Sequence, residues 1–357
     1  MRMKLSHFFT VLALALSAVS IQAQTTLNTV PEGVVNINFP AATTTYLSLP
    51  FTEDPSYRGM VSSVVAVTAN TIAVDDSPAP WTTGGLANLY FVKFLSGNEM
   101  GRVMLITANA TNSLTLDTTD NNTGATVNLT TTTPTAFNVQ AGDAFEIFPA
   151  DTLGSIFGDN TTTQLVLTGG TAYSDADLVN IYSPTLKKFQ NYFFNTTTGC
   201  WVLKGSTVNA NNTILYPYGA LGVFRRGSTA LSFAMMGRVP EVPVLTKVGS
   251  ASTIYGSSGY PVPLTLSQLD LGSSWLTSNT YNSADILSLY SPTLKKLVNY
   301  FQLPASTEWD TKTTSDVGGT TINPGDMVVL FQRGSVSGAE SFLLPAMPYT
   351  IDADTDF

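Results

Sequence analysis

The heptapeptide Tyr-Ser-Pro-Thr-Leu-Lys-Lys occurs twice in this chain, at residues 182–188 and 290–296. It is the centre of a longer match: residues 176–193 align with 284–301 at 12 identical positions of 18, and most of the remainder exchange one apolar residue for another. Trp201 and Trp309 fall at the same offset of 108 residues. Pro217 and Pro324 match at 107, as do Phe224-Arg225-Arg226-Gly227-Ser228 and Phe331-Gln332-Arg333-Gly334-Ser335. Co-linear matches of this kind mark internal duplication. A period near 108 is domain-sized, so two tandem repeats are predicted, 155–250 and 251–357, behind an N-terminal domain at 24–154.

Two local structures compete for the heptapeptide. Ser183-Pro184 suits a helix N-cap and first position, with Leu294, Leu297, Val298 and Phe301 as an apolar stripe. Alternatively Ser-Pro-Thr-Leu is a turn with Pro at its second position, between two strands. Gln190 replaces Val298 in the first copy and breaks the stripe, and the preceding Leu-Val-Asn-Ile-Tyr is strand-like. The hairpin is favoured.

The N-terminal domain reads as short strands and turns. Val61–Val67 and Thr71–Val74 form one predicted strand pair, Val103–Thr107 and Ser113–Leu116 another, and Phe145–Phe148 a closing strand, while the Thr/Asn-rich stretch 117–135 reads as an exposed loop. β-Branched and turn-forming residues are abundant and Lys and Glu are scarce. The predicted class is therefore all-β: a barrel- or sandwich-like N-terminal domain followed by two sandwich-like repeats.

Residues 1–23 have the order of a secretory signal peptide: Arg2 and Lys4, an apolar run from Phe8 to Val19, then Ile21-Gln22-Ala23. The expected location is outside the cytoplasm: periplasm, cell surface or extracellular space. The run is too short to span a bilayer, which takes about 20 residues, and no later stretch reaches that length. Export would remove His7, the only histidine. Ser-His-Asp and Cys-His catalysis, imidazole acid–base chemistry and histidine-containing zinc sites are then excluded. Nucleotide-binding glycine motifs are missing, and the net charge of −9 disfavours nucleic acid. Cys200, the only cysteine, can form no internal disulfide and reads as a small buried side chain beside Trp201. No cofactor, metal or catalytic residue is predicted.

Carboxylate chemistry survives. Glu53, Glu99, Glu146, Glu308 and Asp310 are candidates for a glycosidase pair, with none singled out. Asp352, Asp354 and Asp356 alternate as calcium ligands might be spaced, and Asp175 and Asp177 precede the first heptapeptide, but neither group forms a complete loop signature. The binding candidates are the duplicated residues. Lys187, Lys188, Lys295 and Lys296 sit at predicted hairpin tips, where they either keep an edge soluble or contact an acidic partner. Trp201 and Trp309, with Tyr192 and Tyr300, are either core residues or a sugar-stacking platform. Arg226 and Arg333 could pair carboxylates within each repeat.

The pattern Ala-Asp-apolar, Tyr, Asn-Tyr-Phe, Trp and Phe-x-Arg-Gly-Ser resembles an uncharacterised paralogous family of exported, β-rich proteins expanded in verrucomicrobial bacteria. Gly101-Arg102, Ala141–Ile147 and Thr152–Gly158 are similar to its members too. The resemblance implies export and β architecture and no activity. The expectation is an exported, non-catalytic structural or adhesive protein of the envelope or extracellular space, with polysaccharide, an envelope component or its own copies as partner. The alternative is a carbohydrate-active enzyme or carbohydrate-binding module using carboxylates and aromatics.

Overall fold

The computed structural model describes residues 31–64, 70–76, 79–118, 129, 139–161, 164–183, 186–248, 253–269, 271, 275–304, 306, 308–333, 341–343 and 347–349. The expected signal peptide, the Asp352–Asp356 tail and nearly all of the Thr/Asn-rich stretch lie outside these residues. The regular secondary structure of the described residues is almost wholly strand, confirming the all-β class.

Strands β1 (Glu32–Phe39) and β2 (Thr43–Ser48) come first. Six strands then close a barrel: β3 (Tyr57–Val64), β4 (Thr71–Val74), β5 (Tyr90–Phe94), β6 (Val103–Ala110), β7 (Ser113–Leu116) and β8 (Ala144–Pro149), in the order β3-β4-β7-β6-β5-β8. Alternate residues such as Ile72 and Val74, or Leu114 and Leu116, point inward, and Phe94, Phe145 and Ile147 fill the centre. Strands with this period-2 pattern bury one face each, so the barrel is a packed core with no lumen.

Downstream, β9 (Leu178–Ser183), β10 (Lys188–Asn195), β11 (Cys200–Leu203), β12 (Ala220–Arg225) and β13 (Leu231–Arg238) follow the short helix α1 (Leu153–Phe157). Four of them form a five-stranded sheet with β2, in the order β11-β10-β9-β12-β2, and β13 pairs with β1 as a separate ribbon. Val35, Ile37 and Phe39 of that ribbon share one core with Leu47, Leu221 and Val223 of the sheet, a sandwich-like packing. The predicted N-terminal domain thus contributes to separate parts of the fold: β3–β8 form the barrel, β2 joins the first sheet and β1 forms the ribbon with β13.

The last part contains β14 (Thr246–Val248), β15 (Thr253–Gly256), β16 (Leu264–Thr265), a 3₁₀ turn (Leu266–Gln268), β17 (Ile286–Ser291), β18 (Lys296–Gln302), β19 (Trp309–Asp310), β20 (Thr321–Ile322), β21 (Val328–Phe331) and β22 (Ser341–Leu343). Its main sheet runs β19-β18-β17-β21-β15, and β14 pairs with β22. Strand by strand this is the order of the first sheet. The registers agree as well: Ser183 faces Lys188 as Ser291 faces Lys296, and Tyr46 faces Gly222 as Tyr255 faces Val329. Even the helical turns correspond, with Thr152 at the N-cap of α1 and Thr265 before the 3₁₀ turn, each followed by a buried Leu.

The heptapeptides are hairpins, not helices. In each, the serine Oγ accepts the backbone N–H three residues on, from Leu186 at 3.3 Å and from Leu294 at 3.2 Å. Lys187 and Lys295 close the loops in the left-handed conformation, with φ of 49° and 52°. The stripe a helix would have buried is split by strand alternation, leaving Leu294 and Leu297 exposed and Phe301 buried.

The two sheets touch reciprocally. Tyr182 of the first meets Tyr255 of the second with ring centres 4.4 Å apart, and Tyr290 of the second meets Tyr46 of the first at 5.1 Å. Backbone bridges repeat the exchange, Gly219 with Gly256 and Asp326 with Leu47. A residue and its counterpart each grip the other's partner, which is the signature of a two-fold arrangement within one chain. Glu32–Ile351 form a single contact unit.

Candidate binding cleft

The duplicated motif residues serve the fold. Trp201 and Trp309 are fully buried, and Tyr192 and Tyr300 nearly so. Trp201 Nε1 donates to the Gly158 carbonyl at 2.7 Å, with its ring against Phe157 and Phe194. The tryptophans sit in the core and present no platform to solvent. Cys200 is buried, with Sγ 3.3 Å from Thr198 Oγ1.

Asp177 and Asp285 explain the Ala-Asp of the motif. Each is buried and accepts two backbone N–H groups, from Thr168 and Arg226 in the first sheet at 2.8 and 2.7 Å, and from Leu276 and Arg333 in the second at the same distances. The expected carboxylate pairing by Arg226 and Arg333 takes a different form: it is their backbone N–H that binds the carboxylate. Their guanidinium Nε groups donate instead to the carbonyls of Ala176 and Ala284 at 3.0 and 2.8 Å, and the planar groups lie over Phe224 and Tyr281. The ion pair to Asp177 comes from Arg225, whose place in the second sheet is taken by Gln332. Lys187, Lys188, Lys295 and Lys296 are exposed at the two hairpin tips.

The carboxylate candidates scatter. Glu146 is buried on β8, cross-strand from Arg58 on one side and Lys93 on the other, and receives Arg238 Nη1 of β13 at 2.8 Å. Arg58 reaches Glu241 at 2.9 Å. This network ties the barrel to the β1–β13 ribbon. Burial lowers Lys93 to about 8, opposed by Glu146. Glu99 pairs with Arg102. Asp151 is raised to about 7 by burial and then by neighbouring Glu53, with which it shares a hydrogen bond. Two carboxyl groups in direct contact leave no room for a sugar ring between them, unlike a glycosidase pair. Among the described residues no group of three or more His, Cys, Asp or Glu is placed to hold a metal.

A cleft of about 390 Å³ opens where three parts meet: the barrel at Arg102–Leu105, Asp117 and Thr118; the first sheet at Ile181–Ser183, Gln190, Tyr192 and the segment 213–221; and the second sheet at Ile254–Gly256. Ligand sites favour such junctions, and this volume is in their range. Five tyrosines line it, Tyr182, Tyr192, Tyr216, Tyr218 and Tyr255, with Gln190, Ser183, Thr213 and Thr118. Asp117 is the one carboxylate among the described lining residues.

The segment across the floor is pinned at both ends. Leu215 N donates to the Asp151 carbonyl at 2.9 Å, while Tyr218 and Leu49 exchange backbone hydrogen bonds with Leu49 and Gly219 at 3.0 and 3.2 Å. Phe91 meets Tyr216 edge-on at 5.3 Å and fixes its plane. Burial and Asp117 raise Tyr216 to about 12, so its hydroxyl stays protonated at any physiological pH. Pro217-Tyr218 forms a turn closed by Gly219 N on the Tyr216 carbonyl at 3.0 Å. Its third residue must have positive φ, the place for glycine. Gly325 holds that place in the second sheet with φ 80°, yet here Tyr218 does with φ 59°. The Tyr218 ring enters the core of the second sheet, where burial chiefly raises its pKa and its hydroxyl has no hydrogen-bond partner among the described residues.

Of these lining residues only Tyr192 is among the residues that the sequence offers for a binding role. The available signal was a departure between the copies: Tyr216-Pro217-Tyr218 stands where the second has Asn323-Pro324-Gly325, and Gln190 where it has Val298.

No protein-family model matches the chain, and neither the curated proteins nor the solved structures contain a significant match. Among the described residues no helix is long and apolar enough to cross a membrane.

Proposed function

We propose that this is an exported, non-catalytic binding protein of the cell envelope or extracellular space, with the three-part cleft as its ligand site. On this reading the two sheets are copies of one duplicated unit. The first carries the barrel as an insertion between β2 and α1, where the second has only a short loop and β16. The cleft then belongs to the first copy, the one with the barrel beside it. Export rests on the N-terminal residue pattern and on the resemblance to exported verrucomicrobial proteins.

The observation that carries the reading is the cleft lining: several rings, several hydroxyls and an amide, with a single carboxylate among the described residues. A hydrolase working without histidine would need a second acid or base across the ligand. The enzyme alternative therefore has less support than a binding role.

The test combines a ligand screen by thermal shift on the purified mature protein with electron microscopy. A ligand that raises the melting temperature of the wild type and fails to do so for Tyr216→Ala supports the proposal. Filaments or ordered sheets formed without any such ligand would favour a purely structural role.

A further inference from the structure

We infer that the cleft takes a neutral saccharide, a chain end or short oligosaccharide without carboxylate or sulfate groups. This deepens the binding reading and rests on it. Three features of the lining select the class.

The first is the kind of surface. A pyranose ring offers apolar C–H faces and an equatorial rim of hydroxyls. Tyrosine offers both counterparts, a ring face and a hydrogen-bonding tip. Tyr216 is 37% exposed while its ring is held from behind by Phe91, so it has a free side and a fixed orientation. Tyr182 and Tyr255, also in the lining, pack on each other at 4.4 Å. An aromatic surface already ordered before binding loses little entropy when a ligand stacks on it.

The second is the polar set. Gln190, Ser183 and Thr213 supply neutral donors and acceptors, which match hydroxyl groups better than they match ions. Gln190 is specific to this cleft: its counterpart Val298 offers no polar atom at the equivalent point of β18. A valine there would suit the strand equally well, so the amide is not required by the fold.

The third is charge. Arg102 is ion-paired to Glu99 with both side chains almost fully buried, so its charge is compensated by the protein itself. Among the described lining residues the carboxylate is Asp117. An acidic sugar entering the cleft would meet that carboxylate on a chain of net charge −9. Both the near and the far field exclude uronates and sulfated glycans.

The test is calorimetric titration of the intact mature protein with maltotriose, cellotriose, chitotriose, mannotriose and galactotriose, against trigalacturonate as the acidic probe. At least one neutral trisaccharide is expected to bind, and trigalacturonate is not. Tyr216→Ala is expected to weaken that affinity at least about 10-fold, Tyr216→Phe to retain most of it, and Gln190→Val to weaken it with an unchanged melting temperature. Tyr216 and Gln190 are not core residues, and melting curves confirm that each variant is folded. Binding of trigalacturonate in preference to the neutral sugars overturns the inference, as does neutral-sugar binding indifferent to both Tyr216→Ala and Gln190→Val. If no sugar binds but a peptide or other small molecule gives a Tyr216-dependent thermal shift, the saccharide class falls and the binding reading stands. If no probe of any class gives a Tyr216-dependent shift, both fall.

Discussion

Lys187 and Lys295 are forced into left-handed backbone geometry by hairpin loops whose serine anchors are identical. An L-residue with a β-carbon is disfavoured there and glycine is not. Lys187→Gly and Lys295→Gly are each expected to stabilise the protein by about 0.5–1 kcal/mol in urea melts, an outcome opposite to the usual loss on introducing glycine. A loss of stability in either would mean that the lysine side chain contributes more than its backbone costs. Asp151 gives a pH signature. Its raised carboxyl, at about 7, keeps a proton in the folded state that the unfolded chain, titrating as an ordinary aspartate, has already released. Between about pH 4 and 7 the folded state therefore binds more protons, and this group's contribution to stability falls as pH rises. Asp151→Asn should narrow the difference in melting temperature between about pH 5 and about pH 8; an unchanged difference would rule out the carboxyl pair as its source.

At the level of elements, the strands were legible because their chemistry is local. Val103–Thr107 with Ser113–Leu116, and Phe145–Phe148, appear where alternation placed them. The hairpin at 182–188 could be chosen over a helix because Gln190 interrupts the apolar stripe. The cleft was not legible, since Asp117, Gln190, Tyr216 and Tyr255 are brought together only by sheet pairing and by the packing of three parts; Gln190 breaks the apolar stripe, but nothing local says what it faces. The network around Glu146 is of the same non-local kind. Its strand-register neighbours Arg58 and Lys93 are cross-strand, and Arg238 arrives from another sheet. Glu146→Ala leaves buried cations without a counter-charge and should cost about 3–5 kcal/mol. Lys93→Met is expected to behave oppositely. It removes a buried ammonium whose pKa is depressed to about 8, and leaves Arg58 and Arg238 against Glu146 and Glu241. Because the folded state of the wild type binds fewer protons than the unfolded one between about pH 8 and 10, Lys93 makes the protein gain stability across that range, and this gain should vanish in the variant. Chemical denaturation at both ends of the range reads it directly.

For the whole molecule, the reciprocal contacts between the sheets predict that they melt together. Tyr46 touches Phe189 of its own sheet at 6.3 Å and Tyr290 of the other at 5.1 Å. In a background with Trp81 and Trp275 changed to Phe, single-tryptophan versions keeping Trp201 or Trp309 should report one shared midpoint, and Tyr46→Ala should lower both equally. Separate midpoints would mean the sheets are independent. The barrel has a different relation to its surroundings. Its strands lie between β2 and β12 along the chain, yet those two must pair to complete the first sheet. The chain enters and leaves the barrel side by side, with Ser56 N donating to the Ile147 carbonyl at 2.8 Å. Once β3 and β8 have zipped, the long detour shrinks to a short effective loop, and the entropy of joining β2 to β12 falls accordingly. A formed barrel thereby acts as a clasp: with its two ends held at Ser56 and Ile147, it lowers the cost of completing a sheet whose strands are far apart in the chain.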